Sequence, residues 1–252
     1  MAKRYELTLS QWAKIEPLLP GKSSDPGRSG TDNRLFVKGV LWILRSGAHW
    51  CDLPERYGTR KTVHKRFTRW AEASVWERVF AHLIEDPDNS YVSLDSSLVR
   101  AHQQAATGKG SKRRDQALGR SRGGLTTKIH LATDAVGRPL RVIMTPGQRG
   151  DAPIAPALLH GLSPQRVLAD KANDSNALRA LIASMQAEPV IPCNPTRKQL
   201  IPYDFEAYMV RNTVERCFNK LKYFRRIATR FDRRAVYFLS FVHLAATMLW
   251  MR

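Results

Sequence analysis

Cysteine is scarce: Cys51, Cys193 and Cys217 are an odd set with no two close in sequence. They allow neither a disulfide framework nor zinc-finger spacing, and they suit a reducing cytoplasm. The opening MAKRYELTLSQW has no apolar core of the kind a secretory signal needs. Long apolar runs are missing too. The one long stretch free of Lys, Arg, Asp and Glu runs from Ala235 to Met251 and contains Ser240, His243 and Thr247. It falls short of the ~20 apolar residues a membrane span needs, so it predicts a buried core helix and no membrane association. A P-loop and a Ser-His-Asp set are also absent. The Gly-x-Gly pieces at Gly108–Gly110 and Gly119–Gly124 lack the strand-before, helix-after context of a dinucleotide site. With 43% hydrophobic and 25% charged residues the chain is globular, which excludes a disordered or fibrous protein.

Acid is also in short supply. Against 41 Lys+Arg there are 22 Asp+Glu, a net charge of +19 over 252 residues. The surplus is clustered: windows 56–69, 109–128 and 211–234 hold 22 basic and three acidic residues, and so carry all of it. One such window would be a solvated face; three point to a polyanion, with nucleic acid the expected partner.

The period of apolar residues divides the chain. Residues 1–86 read as helical: Leu7 to Leu19, then Leu35, Val37, Val40, Leu41 and Leu44 up to Gly47, then Val63, Phe67 and Trp70 behind a Thr59 cap, then Trp76, Val79, Phe80 and Leu83. Residues 21–33 read as a loop by composition. The helix after Thr59 carries Arg60, Lys61, Lys65, Arg66 and Arg69, so 34–72 reads as two helices around a tight turn, with the second set for a DNA groove. A bundle with a charged exterior is the alternative. After a linker at 85–90 the period shifts to two. Residues 91–99, 125–134 and 138–146 predict three sequential strands. Then come a helix capped by Asp151, a strand at 166–170, a helix at 176–187 capped within Asn173–Ser175, and a strand at 189–193. Two helices, 206–224 and 235–251, follow. This pattern predicts an α/β mixed sheet covered by helices in residues 91–252. The Gly-rich basic stretch 103–123 is long for a loop inside a compact domain, and so is expected to be functional or disordered.

Asp95 stands mid-strand among apolar residues, where a carboxylate must be compensated. Asp170 ends the strand Val167–Ala169, and catalytic groups gather at the carboxyl ends of strands in α/β sheets. Asp134, Asp151 and Asp174 read as caps or turn residues. On one continuous helix Tyr208, Arg211, Glu215 and Lys222 share a stripe beside an apolar face of Val214, Phe218 and Leu221. An Arg211–Glu215 surface pair explains part of that stripe. Three carboxylates so placed can hold two divalent metals for an in-line phosphodiester attack. Mg²⁺ or Mn²⁺ suits an all-oxygen site. Arg and Tyr beside them bind phosphate and stack on bases.

Tyr208-x2-Arg211-x3-Glu215-x6-Lys222 resembles the Y-x2-R-x3-E-x6-K signature of insertion-sequence transposases of the Asp-Asp-Glu type. The segments VERCFNKLKYFRRIATRFD, SLDSSLVRAHQQAA, GGLTTKIHLATDAVGRPLRVIMTPGQRGDAPIAPALL and VLADKANDSNAL look like blocks of the insertion-sequence-five family, and LTLSQWAKIEPLLP with RLFVKGVLWILRSGAHWCDLPERYGTRKTVHKRFTRW resembles its N-terminal domain. The resemblance implies a ribonuclease H-like catalytic domain, preceded by a small all-helical, helix-turn-helix-like DNA-binding domain. It implies a triad of Asp95, Asp170 and Glu215 holding two Mg²⁺ or Mn²⁺ ions, with Tyr208, Arg211 and Lys222 on DNA. The expected activity is binding of terminal inverted repeats, DNA end cleavage and strand transfer. The expected partner is double-stranded DNA, and the expected state a homodimer or larger, nucleoid-associated in a prokaryotic cytoplasm. A ribonuclease H-like nuclease without strand transfer and a non-catalytic DNA-binding regulator are the rivals. Asn173 departs from the pattern, standing where relatives commonly carry an aromatic.

Overall fold

The computed structural model describes residues 6–22, 24, 25, 30, 32–106 and 116–252. The chain divides into two compact units: residues 1–83, 102–108 and 221–252 form one, and 84–101 and 109–220 the other.

The first unit opens with α1 (Leu9–Ile15), whose Thr8 and Gln11 close a reciprocal capping box. Asp32 caps α2 (Asn33–Ser46) by accepting from the Leu35 N–H. Gly47 ends that helix in the left-handed region at φ 73°, where a Cβ would meet Arg225 Cβ at 2.9 Å. α3 (Arg60–Glu72) buries Val63, Phe67, Trp70 and Ala71. Thr59 holds its N-cap position without a side-chain bond to a backbone N–H, its hydroxyl donating to Thr62 Oγ1 instead. α4 (Val75–His82) follows almost at once, through Ser74 at φ 51°.

The tight turn expected between α2 and α3 is not there. Residues 47–59 separate them and form two 3₁₀ turns, because Leu53 and Tyr57 turn inward into the core. The close-coupled pair is α3 and α4. The 21–33 loop is described only in part.

The second unit is a mixed sheet. β1 (Tyr91–Ala101) is followed by a one-turn helix, α5 (Gln103–Ala106), which belongs to the first unit. The core of the Gly-rich basic stretch, 107–115, lies outside the described residues, as do Gly108 and Gly110. Its far end forms β2 (Gly119–Ser121), a strand the sequence did not signal, pairing antiparallel with the start of β3 (Gly124–Thr133). β4 (Pro139–Pro146) runs antiparallel to β3. Asp134 makes the turn between them, accepting from the Arg138 N–H and Nε at 2.7 Å each.

α6 (Ala155–Leu159) starts later than expected, and Asp151 does not cap it. The Asp151 carboxylate pairs with Lys128 at 3.1 Å and the buried His130 at 3.3 Å. Burial alone would raise its pKa, but the bonds from His130, Ser96 and Lys128 prevail and hold it at about 2. β5 (Arg166–Leu168) lies parallel to β1, and after α7 (Asn176–Ser184), capped by Ser175, β6 (Glu188–Val190) lies parallel to β5. The resulting order, β4-β3-β1-β5-β6 with the first three antiparallel and the rest parallel to β1, is the ribonuclease H-like arrangement.

The helix expected at 206–224 is broken. α8 (Phe205–Met209), capped by Asp204, stops before Val210 and Arg211, and α9 (Asn212–Lys222) begins anew. α9 seats on the β3–β4 turn. Gly137, at φ 81°, lets Thr213 approach so closely that a Cβ would stand 3.1 Å from the Thr213 carbonyl oxygen.

The chain then returns to the first unit through α10 (Arg225–Ala228) and α11 (Ala235–Trp250). α11 packs within the first unit, since it is apolar nearly all round and must be enclosed. Phe241 stacks on Phe67 with ring centroids 4.4 Å apart, and His243 lies on Phe80 at 5.6 Å. It is a buried core helix, as its composition predicted. Among the described residues no helix is long and apolar enough to cross a membrane.

Candidate active site

Strand register brings the two aspartates together. β1 and β5 are parallel neighbours, with Ser93 opposite Leu168. Asp95 lies two residues beyond Ser93, and Asp170 two residues beyond Leu168. Two carboxylates far apart in sequence therefore stand level, one still on β1 and one just past the end of β5. This crevice at the carboxyl ends of parallel strands is the usual site of ligands in such sheets.

Each aspartate is held locally. Asp95 Oδ1 accepts from the Ser96 N–H at 2.8 Å. Asp170 caps the 3₁₀ turn Lys171–Asn173, and its Oδ1 accepts from the Ala172 N–H at 3.1 Å and from Asn173 Nδ2 at 2.8 Å.

Glu215 arrives from α9, and Arg211 ties it to the strand. Arg211 Nη1 donates to Glu215 Oε1 at 2.7 Å, and Nη2 lies 3.4 Å from Asp95 Oδ1. Arg211 is mostly enclosed, with a side-chain exposure of 13%, whereas Glu215 is half open at 53%. The Arg211 Nε is buried with no bond.

The electrostatics show the carboxylates sensing each other. Burial raises the pKa of Asp95. The Arg211 charge and the Ser96 N–H oppose that rise, and the charges of Asp170 and Glu215 add to it. For Arg211, burial pulls the pKa down, but the bond to Glu215 and the Asp95 charge leave it raised. Tyr208 packs at the edge of the cluster formed by Leu168, Val190 and Ala207, in edge contact with Tyr203. Its hydroxyl pKa is raised by burial first, with Arg211 opposing and Asp170 and Glu215 adding.

Asp95, Asp170, Glu215, Arg211 and Tyr208 thus form one neighbourhood. The geometry differs from the expected one in two respects. The helix break at Val210–Arg211 takes Tyr208 off the helical stripe, so the backbone turn, not helical period, puts it there. Among the described residues no three His, Cys, Asp or Glu side chains already form a metal cage. The Arg211 guanidinium takes the place of a cation between Asp95 and Glu215. The residues nonetheless fit divalent metal: the donors are all oxygen, and three negative charges converge where a positive one is needed. Lys222, the last residue of α9, belongs to the helical unit.

The basic windows are less exposed than the charge suggested. On α3, Arg60, Lys61, Lys65 and Arg69 face solvent. Arg66 is half-buried: its guanidinium lies over the Phe36 and Trp70 rings at 4.5 and 4.9 Å and bonds to Asn33. In the third window Arg226 is buried against Asp232 at 3.0 Å, and Arg230 is buried on backbone carbonyls, with burial holding its pKa near about 10. Arg226 and Arg230 organise the core, and the half-buried Arg66 packs on aromatic rings beside it.

Asp174, expected as a cap, is instead a fully enclosed hub. It accepts from Arg179 and Arg197 and from the Asn194 N–H, and the Arg197 bond, as the largest cause, pushes its pKa far down. The sequence reading also missed Asn173 as a partner of Asp170. Its one signal was a polar residue three places after an aspartate, at a position where an aromatic was expected.

Residues 86–250 match the family model described as "Transposase DDE domain", and residues 7–80 match "Putative transposase of IS4/5 family". A protein of Brucella ovis, "Putative transposase for insertion sequence element IS6501", is 47% identical over 130 residues, covering 51% of this chain and all of the relative. "Putative transposase for insertion sequence element IS402" of Burkholderia cepacia is 32% identical over 49% of this chain and 62% of its own length. Among solved structures, a piggyBac transposase synaptic complex with hairpin DNA aligns at 14% identity and a TM-score of 0.42, over 76% of this chain and about half (48%) of that one. This chain is thus a DDE-type DNA transposase, belonging to the Transposase DDE domain family and, in its N-terminal part, to the IS4/5 group of insertion-sequence transposases.

Proposed function

We propose that the chain binds the terminal inverted repeats of an insertion sequence of the insertion-sequence-five type, cuts the DNA at its ends and joins the 3′-hydroxyls to target DNA. The observation that carries this reading is the level placement of Asp95 and Asp170 across β1 and β5, with Glu215 tied in by Arg211. Asp95, Asp170 and Glu215 would hold two Mg²⁺ or Mn²⁺ ions, which when bound supply Lewis-acid stabilisation of the attacking and leaving oxygens. Arg211, beside these carboxylates, would bind the scissile phosphate. Tyr208 stacks on a base beside it, and Lys222 contacts the backbone beyond. Residues 1–86 recognise the end, with Arg60, Lys61, Lys65 and Arg69 of α3 on DNA and Arg66 holding α3 to α2. Residues 91–220 provide the chemistry. Pairing two ends calls for a homodimer or larger assembly, working on the nucleoid in the cytoplasm.

The test offers the full chain a labelled duplex bearing the repeat that flanks its gene, with Mg²⁺ and a target plasmid. Cleavage at the repeat boundary followed by joined product is expected. Cutting without joining would make it a nuclease of the same fold, and selective binding without metal-dependent cutting would make it a regulator.

A further inference from the structure

The buried side chain of Asn173 is in contact with one of the three carboxylates and has no part in the mechanism above. We infer that Asn173 is a positioning residue for Asp170: its amide fixes the carboxylate so that one oxygen stays available to a divalent cation. The inference rests on the reading of Asp170 as a metal ligand.

Asn173 is 4% exposed, and its Nδ2 donates to Asp170 Oδ1 at 2.8 Å. The Ala172 N–H donates to the same oxygen at 3.1 Å. Two donors on one oxygen set the plane of the carboxylate, and among the described residues no hydrogen bond falls on Oδ2. Asp95 repeats the pattern, since the Ser96 N–H also falls on Oδ1. In both aspartates the protein fixes one oxygen and leaves the other.

The amide cannot drift, because the turn that carries it is anchored at both ends. Ahead of it β5 runs into Ala169, whose N–H donates to the Val190 carbonyl at 3.4 Å. Behind it Asp174 is locked by Arg179, Arg197 and the Asn194 N–H at 2.7–2.8 Å. An aromatic at 173 would supply bulk here but no amide donor to Asp170. Side chains that orient a metal ligand from behind change metal affinity by about 10–100-fold when removed.

The experiment measures Mn²⁺ binding to the full chain by calorimetry, for the wild type, Asn173→Leu and Asp170→Asn. Leu matches Asn in size and lacks the donor. The expected result is Mn²⁺ affinity lowered at least about tenfold in both variants, with Asn173→Leu keeping the wild-type circular dichroism. If Asn173→Leu does not fold, Asn173→Ala removes the donor with less bulk and is read the same way. Wild-type affinity in the Asn173 variant with weakened binding in Asp170→Asn would overturn the positioning role alone. Unchanged affinity in Asp170→Asn would overturn the assignment of Asp170 itself, and this inference with it.

Discussion

Replacing Asp95 by Asn separates two roles its carboxylate could play. One role is structural, as the partner that holds Arg211. Removing one member of a buried ion pair leaves its partner uncompensated and costs about 3–5 kcal/mol. For a chain of this size that lowers the melting temperature by roughly 6–20 °C, at 2–4 °C per kcal/mol. The other role is catalytic, and the electrostatics favour it. Burial, together with the charges of Asp170 and Glu215, raises the Asp95 pKa despite Arg211 3.4 Å away. A carboxylate whose pKa is raised by folding favours the folded state most when protonated, and that stability is lost as pH rises through the folded pKa. At neutral pH the charge is therefore a burden on the fold, and the neutral amide relieves it. Arg211 keeps Glu215 at 2.7 Å. Asp95→Asn should accordingly melt within about 2 °C of the wild type or above it. Cleavage should fall much further. The charge stabilisation a metal supplies to such a reaction is worth several kcal/mol, and about 4 kcal/mol corresponds to roughly 10³-fold in rate. The assay pairs calorimetric melting at pH 7.5 with cleavage of end-labelled repeat duplex in Mg²⁺. A fall of more than about 6 °C would show that Asp95 is there to hold Arg211. Cleavage within tenfold of wild type would remove Asp95 from the site.

Asp174→Asn should cost about 3–5 kcal/mol in urea unfolding, because it breaks an enclosed pair with Arg179 and Arg197. Since the folded pKa of Asp174 is depressed, the wild type should keep that advantage above the ordinary carboxylate pKa of about 3.9 and lose it as pH falls below, while the variant shows no such loss. A variant as stable as the wild type at neutral pH would refute the hub. DNA affinity should fall steeply with salt, by about 0.9 log unit per phosphate contacted, with a slope reflecting six or more contacts. Substituting Arg60, Lys61, Lys65 or Arg69 by Ala should each reduce that slope by about 1, whereas Arg66→Ala should leave it unchanged and lower the melting temperature. A slope that dropped for Arg66→Ala as for the others would place that arginine on DNA. Burial pushes the Cys217 thiol up to about 12, so at pH 8 a maleimide should label the exposed Cys51 and spare Cys217 in the native protein; rapid labelling of Cys217 would contradict the packing of α9.

The sequence by itself determined whatever depends on neighbouring residues and local period. The strands of β1, β3 and β4 follow from alternation, α2 and α3 from apolar residues at helical spacing, and α11 from an uncharged stretch that had to be buried. Asp95, Asp170 and Glu215 stood out as candidates because a charge in an apolar strand, at a strand end or on a helix beside an apolar face is conspicuous in one dimension.

Tertiary structure decided everything that depends on which surfaces meet. Only the parallel register of β1 on β5 makes Asp95 and Asp170 level. Only the folded chain shows the helix broken at Val210–Arg211, with Thr213 of α9 seated against Gly137 of the β3–β4 turn. Charge could be counted from the sequence but not assigned a direction. Arg226 and Arg230 belong to a basic window yet point inward, where Asp232 and backbone carbonyls replace water around the guanidinium, and Arg66 lies half-buried on aromatic rings. α11 joined the helical unit for the same reason: burial can be demanded by a sequence, but the partner that satisfies it is chosen by the fold.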